Sequence, residues 1–219
     1  MWELIRSGNV VMIPIILCSL VGLAVFIERA FTLRRSRIVI PEIAEAVETL
    51  PRASDFSTAY ATCERHPGPF AVLVKTGLDH AGDEWEIIRD VLQEAGRQQA
   101  VRLVKYLGIL ETVAAVAPLL GLLGTVTGMI RTFSAVSVFG LGEAGQLSSG
   151  ISEAMITTAA GLIVGIPALV AHNWLEGRAK AIVFDLECYA TKVLDTLRRR
   201  QGEARGGLAA DIAAATRKA

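Results

Sequence analysis

Cysteine, histidine and aromatic side chains are scarce in this chain of 219 residues, and its charges cancel: three Cys, three His, 6% aromatics, and 22 basic against 22 acidic groups. Each shortage excludes something. Zero net charge gives no basic surface of the kind that nucleic-acid phosphates demand, so no nucleic acid is expected as a partner. Cys18 lies in an apolar stretch, while Cys63 and Cys188 sit far apart in polar surroundings. Neither a disulfide framework nor a zinc site has such spacing, and the thiols are read as reduced. His66, His80 and His172 lack metal-ligand spacing as well, so neither a metal nor any other cofactor is expected.

What the chain has is apolar length. A hydrophobic content of 52% and a mean hydropathy of +0.46 point to a membrane protein with a modest aqueous part. Crossing about 30 Å of hydrocarbon takes roughly 20 helical residues. Residues 10–27, 110–133 and 151–175 meet that length and predict three transmembrane helices in an all-α fold. The first is read as a retained helix, because Arg29, Arg34, Arg35 and Arg37 follow the apolar stretch, whereas a cleaved leader carries its charges before it.

The same charges set an orientation. Arg6 alone precedes the first span, and Arg97, Arg102 and Lys105 lie just before the second. Arg178 and Lys180 follow the third, and no Lys or Arg lies in residues 134–150. The positive-inside rule then predicts an N-out, C-in chain, with His172, Asn173 and Trp174 at the inner interface. Residues 1–9 are an outer segment, 28–109 a cytoplasmic helical domain, 134–150 an outer loop, 176–200 a cytoplasmic stalk helix and 201–219 a mobile tail.

In the aqueous part, short amphipathic helices are expected over residues 41–65, broken at Pro51 and again at His66-Pro67-Gly68-Pro69, with a further helix over 70–79. Ala81-Gly82-Asp83 supplies a stop and an N-cap, and Glu84 and Glu86 fall in the next first turn. From Trp85 no turn signal appears until Pro118, so the second span is expected to continue this helix without a break. The third runs on past Trp174 in the same way. At 1.5 Å per residue, helices of roughly 50 residues reach about 75 Å, more than a bilayer needs.

The second and third spans carry the motifs. Ala117-Pro118-Leu119-Leu120-Gly121-Leu122-Leu123-Gly124-Thr125-Val126-Thr127-Gly128 is apolar, yet it holds a proline, three glycines and two threonines. Gly150-Ile151-Ser152-Glu153-Ala154-Met155-Ile156-Thr157-Thr158-Ala159-Ala160-Gly161-Leu162 repeats the design with an acid, and Gly165 and Pro167 follow. Gly121, Gly124 and Gly128 recur at spacings of three and four, as do Thr158, Gly161 and Gly165, giving each helix a stripe for close packing. Pro118 and Pro167 each free a carbonyl one turn earlier, and the resulting kink serves a pore or a bundle equally. A phosphate-cradling loop is excluded, since no Lys-Ser or Lys-Thr follows the glycines.

These two motifs, and the order of elements around them, resemble the MotA/TolQ/ExbB proton-channel family, in its ExbB/TolQ branch and closest to ExbB. Thr127 departs from the pattern, which often has tryptophan there. The resemblance implies a homopentamer around two single-span helices of the ExbD or TolR type, whose aspartate carries the proton. It implies an inner-membrane motor that passes force from the proton-motive force to a TonB- or TolA-type partner, for outer-membrane transport or envelope integrity. On the same resemblance, Thr125 and Thr158 line the pore beside the partner's acid. Read from the residues alone, their hydroxyls serve equally to bond a carbonyl one turn back or a neighbouring helix.

Glu153 is the one acid in the third apolar stretch, and Thr157 shares its face one turn later. An ionised carboxylate in hydrocarbon costs about 2.5–3.5 kcal/mol, so Glu153 is read as facing a pore or helix interface, against the alternative of reaching water at the outer boundary. Arg131 either snorkels to the headgroups or pairs with Glu143 or Glu153. Glu111 either pairs with Lys105 or Arg178 or serves proton exit. No Ser/His or paired Asp constellation lies at matching depth on two spans, so no enzymatic activity is expected. The rival to a proton channel is a passive oligomeric scaffold in the lipid bilayer.

Overall fold

The computed structural model describes residues 10–52, 55–139 and 144–216, and among these the chain is helical with no strand. The expected outer segment with Arg6, and Glu143 in the expected outer loop, lie outside the described residues. The helices are α1 (Met12–Thr32), α2 (Arg35–Ile38), α3 (Pro41–Thr49), a 3-10 turn (Leu50–Arg52), α4 (Ser57–Arg65), α5 (Pro69–Asp79), α6 (Trp85–Val104), α7 (Leu107–Phe139) and α8 (Ala144–Thr216). Three helical stretches, Met12–Thr32, Trp85–Ser134 and Ser148–Gly202, are long and apolar enough to cross a membrane. The protein is therefore a multi-pass membrane protein.

Local chemistry sets the boundaries. Pro41 and Pro69 open α3 and α5 at the first helical position, where a missing N–H costs nothing. The Asp55 carboxylate accepts from the Ser57 backbone N–H at 3.2 Å and from its hydroxyl at 2.8 Å, starting α4. α6 begins at Trp85, one residue later than Asp83 as N-cap would place it. The expected uninterrupted helix from Trp85 into the second span is not observed. α6 stops at Val104 and α7 starts at Leu107, with Tyr106 at φ 70° in between. No glycine or proline marks that break. The helix α7 runs on to Phe139 and α8 starts at Ala144, so helix occupies much of the expected 134–150 loop. The expected tail from Gln201 is helical as far as Thr216, in keeping with its alanines, the strongest helix formers.

The chain divides into two compact units. The first lies within Met1–Thr32 and Lys105–Gly177 and holds α1, α7 and the first part of α8. Its interior includes Ile15 of α1, Leu110 and Ala117 of α7, and Ala154 and Leu175 of α8. Phe26 and Trp174 stack at 6.2 Å between ring centres, and the His172 Nδ1–H donates to the Leu107 carbonyl at 3.1 Å. His172, expected at the inner interface, is half-buried and bonded. Large apolar side chains on the other faces are exposed, among them Leu17 and Leu20 of α1, Leu122 and Phe133 of α7, and Ile163 of α8. Such a surface needs lipid or further protein to cover it.

The second unit lies within Leu33–Val104 and Arg178–Ala219. Phe70, Ile43, Leu73, Ile88 and Leu197 are among its most buried large side chains, and Phe70 meets Tyr189 at 4.8 Å between ring centres. Polar contacts rim this core. Arg35 holds Asp185 with two bonds of 2.6 and 3.1 Å, Lys192 reaches Glu48 at 3.2 Å, and the Gln201 amide donates to the Asp83 carbonyl at 2.6 Å. Cys63 is buried here at 2% exposure, a correction to its reading as a residue in polar surroundings. α4 turns it inward with Ala59, four residues earlier on the same face.

Candidate functional site

The site is built where α7 and α8 touch inside the first unit. Residues three and four apart share a helix face, so Gly121, Gly124 and Gly128 form a strip with no side chain. Against it lie Ala154, Thr157, Thr158 and Gly161 of α8. A methyl group added at Gly128 would come within 2.9 Å of the Ala154 Cβ, and one added at Gly161 within 2.5 Å of the Ala117 carbonyl oxygen. Backbones this close leave room for nothing larger than hydrogen at those positions. Pro118 and Pro167 both sit inside continuous helix, and the Pro118 ring packs where Gly165 offers space, 2.6 Å from the point a Cβ would occupy.

The three threonines occupy different positions. Thr157 is fully buried, its side chain fills the notch at Gly124, and its hydroxyl donates to the Ala154 carbonyl at 2.8 Å and the Glu153 carbonyl at 3.1 Å. Thr158 is half-buried and donates across the interface to the Gly121 carbonyl at 3.1 Å. Thr125 is half-buried on the far side of α7, bonded to the Leu122 carbonyl at 2.7 Å, at the edge of a groove shared with Met129 and Phe133. Thr157 and Thr158 thus meet α7 directly, whereas Thr125 faces away from α8.

Glu153 projects from α8 one turn before Thr157, with its side chain 23% exposed. Arg131 of α7 points its guanidinium at this carboxylate, 3.7 Å from Nη1 to Oε1, and is itself 59% exposed. Pairing with Glu153 is one of the alternatives open in the sequence, and Glu143, another, lies outside the described residues. Spacing along α7 explains the approach to Glu153: Arg131 follows Gly128 by three residues, and Gly128 is where α7 rests on Ala154, the neighbour of Glu153. Thr132, beside Arg131, is buried and bonded to the Gly128 carbonyl at 3.0 Å. Glu111 is exposed, and the Lys105 ammonium proposed for it lies over the Tyr106 ring, 4.8 Å from its centre. Among the described residues no group of His, Cys, Asp and Glu is arranged to hold a metal ion.

This arrangement supplies a carboxylate, a fixed positive charge and three hydroxyls at membrane depth. A carboxylate takes and releases protons, a hydroxyl donates and accepts without ionising, and a guanidinium stays charged.

Comparison with known proteins gives a consistent result. Residues 66–188 match the model of the MotA/TolQ/ExbB proton channel family. A Synechocystis protein named biopolymer transport protein ExbB-like 1 is 39% identical over 179 residues, covering 77% of this chain and 68% of that one. An ExbB homolog of Methanothermobacter thermautotrophicus is 28% identical over 177 residues, 80% of this chain and 63% of that one. The Tol-Pal system protein TolQ of Pseudomonas aeruginosa is 23% identical over 218 residues, 91% of this chain and 93% of that one.

Proposed function

Since this chain belongs to the MotA/TolQ/ExbB proton channel family, we propose that it is the channel-forming subunit of a motor driven by the proton-motive force. In this reading it sits in a bacterial inner membrane, N-out and C-in, as a homopentamer around a dimer of ExbD- or TolR-type single-span helices. The motion it produces passes to a TonB- or TolA-type protein. The relatives named ExbB and TolQ support the assignment to this class of energiser.

One observation carries the reading: Glu153, an acid in an apolar span, stays at the seam of α7 and α8 beside Arg131 and above the hydroxyl row. A scaffold needs the glycine packing but has no use for a carboxylate there, which costs stability in hydrocarbon unless it is partnered. The energetics suffice for mechanical work. One proton crossing 100 mV releases about 2.3 kcal/mol, several times RT, enough to bias a discrete step of one helix set against another. Thr158 and Thr125 would then border the path of the guest helix, and Thr157 would brace Glu153 from within.

Proton flux into liposomes holding this chain and its single-span partner tests the reading. Glu153→Ala or Thr158→Val is expected to abolish flux while leaving the oligomer assembled. Undiminished flux in either variant refutes the role given to that residue, and no flux in the wild type with its partner returns the protein to the passive-scaffold alternative.

A further inference from the structure

We propose that Arg131 is the counter-ion of Glu153, a positioning residue that holds the carboxylate at the seam of α7 and α8; its functional consequence rests on the channel reading above. Three independent observations support it. The two charges face each other at 3.7 Å from different helices, so neither sequence neighbourhood nor a shared turn forces the approach. The small-residue contact of Gly128 with Ala154 and the Gly150 carbonyl lies within one turn of both residues and fixes the spacing between their backbones. The surroundings are apolar: Ile130 and Phe133 on α7, and Ile151 and Met155 on α8, are all exposed and require a covering of lipid or protein.

That last feature decides the energetics. In water an ion pair as open as this one stabilises little. Once the apolar faces around it are covered, both charges lose solvent, and removing one partner leaves the other uncompensated in a medium that penalises it heavily. Each group then needs the other. Thr132 and Thr157, the hydroxyl side chains packed nearest, have their protons committed to the carbonyls of Gly128, and of Glu153 and Ala154, so neither supplies a charge. Arg131 does not relay a proton, because a guanidinium keeps its own. Its role is to fix where the carboxylate rests, and opening of the pair is the event that frees Glu153.

A mutant cycle in the full chain, reconstituted with its single-span partner, decides the matter. The set is Arg131→Gln, Glu153→Gln, both together, and Arg131→Lys. Each Gln variant is expected to lower the thermal midpoint of the oligomer by about 3 °C, and the double variant to lower it no further. Arg131→Lys keeps the charge and stays near the wild-type midpoint. Additive shifts in the cycle, or equal shifts for Lys and Gln, overturn the pairing. Proton flux is read in parallel, with a loss of about tenfold expected for Arg131→Gln and less than about threefold for Arg131→Lys. Should the wild type with its partner conduct no protons while the thermal cycle stays non-additive, the channel reading falls and the ion pair stands; intact flux in Glu153→Gln removes only the proton role of Glu153.

Discussion

The guanidinium of Arg29 lies 4.7 Å from the centre of the Tyr106 ring, and Tyr106 is, among the described residues, the one non-glycine held at positive φ, 70°. Arg29 lies in the last turn of α1, is 9% exposed, and its buried Nε has no hydrogen-bond partner among the described residues, so the aromatic face and the Glu28 carboxylate, 3.8 Å from Nη2, stabilise its charge. A left-handed backbone costs an L-residue about 1–2 kcal/mol. The cation–π contact offsets that cost and ends one helix where the sequence alone would continue it.

Replacing Tyr106 separates the two effects. Tyr106→Ala loses the ring and keeps the backbone strain, and is expected to destabilise the chain in detergent by about 2 kcal/mol. Tyr106→Gly loses the ring but relaxes the backbone, and is expected to be about 1 kcal/mol less damaging. Thermal melts of the two variants that coincide would contradict the strained-turn account.

Gly77 and Gly161 are both closely approached, with opposite prospects for repair. A Cβ at Gly77 would meet the Val193 Cγ1 at 2.8 Å and Leu92 at 3.2 Å, so Gly77→Ala is expected to cost about 1–3 kcal/mol. Val193→Ala in the same chain clears the space and should recover part of the loss. At Gly161 the obstacles are the Ala117 carbonyl and the Gly121 Cα, both backbone. Gly161→Val is expected to block the α7–α8 seam with no side-chain substitution able to rescue it, read as loss of the assembled species on size-exclusion chromatography.

The thiols differ in a way that alkylation can measure. Burial pushes Cys63 from its ordinary 9.0 up to about 11, and nearby Lys75 opposes this more weakly. At pH 8 only about a thousandth of it is thiolate. Cys188 is exposed and should be labelled by maleimide first, with Cys63 resisting until the chain unfolds.

The same shift sets a stability slope. Between about pH 9 and 11 the folded chain keeps a proton that the unfolded chain releases, so stability falls as pH rises through that window, by roughly 2–3 kcal/mol in total. Below pH 9 both states hold the proton and the effect vanishes. Cys63→Ala is expected to flatten the slope in alkaline melts.

Much of this architecture was readable from residue order. Three apolar stretches of sufficient length, the interruptions at Pro51 and at residues 66–69, and the paired small-residue strips all reflect short-range rules of composition and periodicity, and each has its counterpart in the helices. The family was legible for a related reason, since its motifs are contiguous. What escaped depends on residues distant in sequence. The break at Lys105 and Tyr106 has no turn former and is held by Arg29, 77 positions earlier. The burial of Cys63 and the bonding of His172 to Leu107 likewise require a neighbouring helix to be in place. Glu153 was singled out for its position in an apolar run, but the approach of Arg131 to it needed the Gly128 contact to fix the relative height of two helices.

Thr158 gives its single hydroxyl hydrogen to the Gly121 carbonyl, which leaves only lone pairs on the outward side of that oxygen. Any side chain arriving there must bring the hydrogen itself. In the channel proposed above, a carboxylic acid would satisfy that demand and a carboxylate would be repelled by it, so a wall of this kind would tell a loaded visitor from an empty one without carrying any charge of its own.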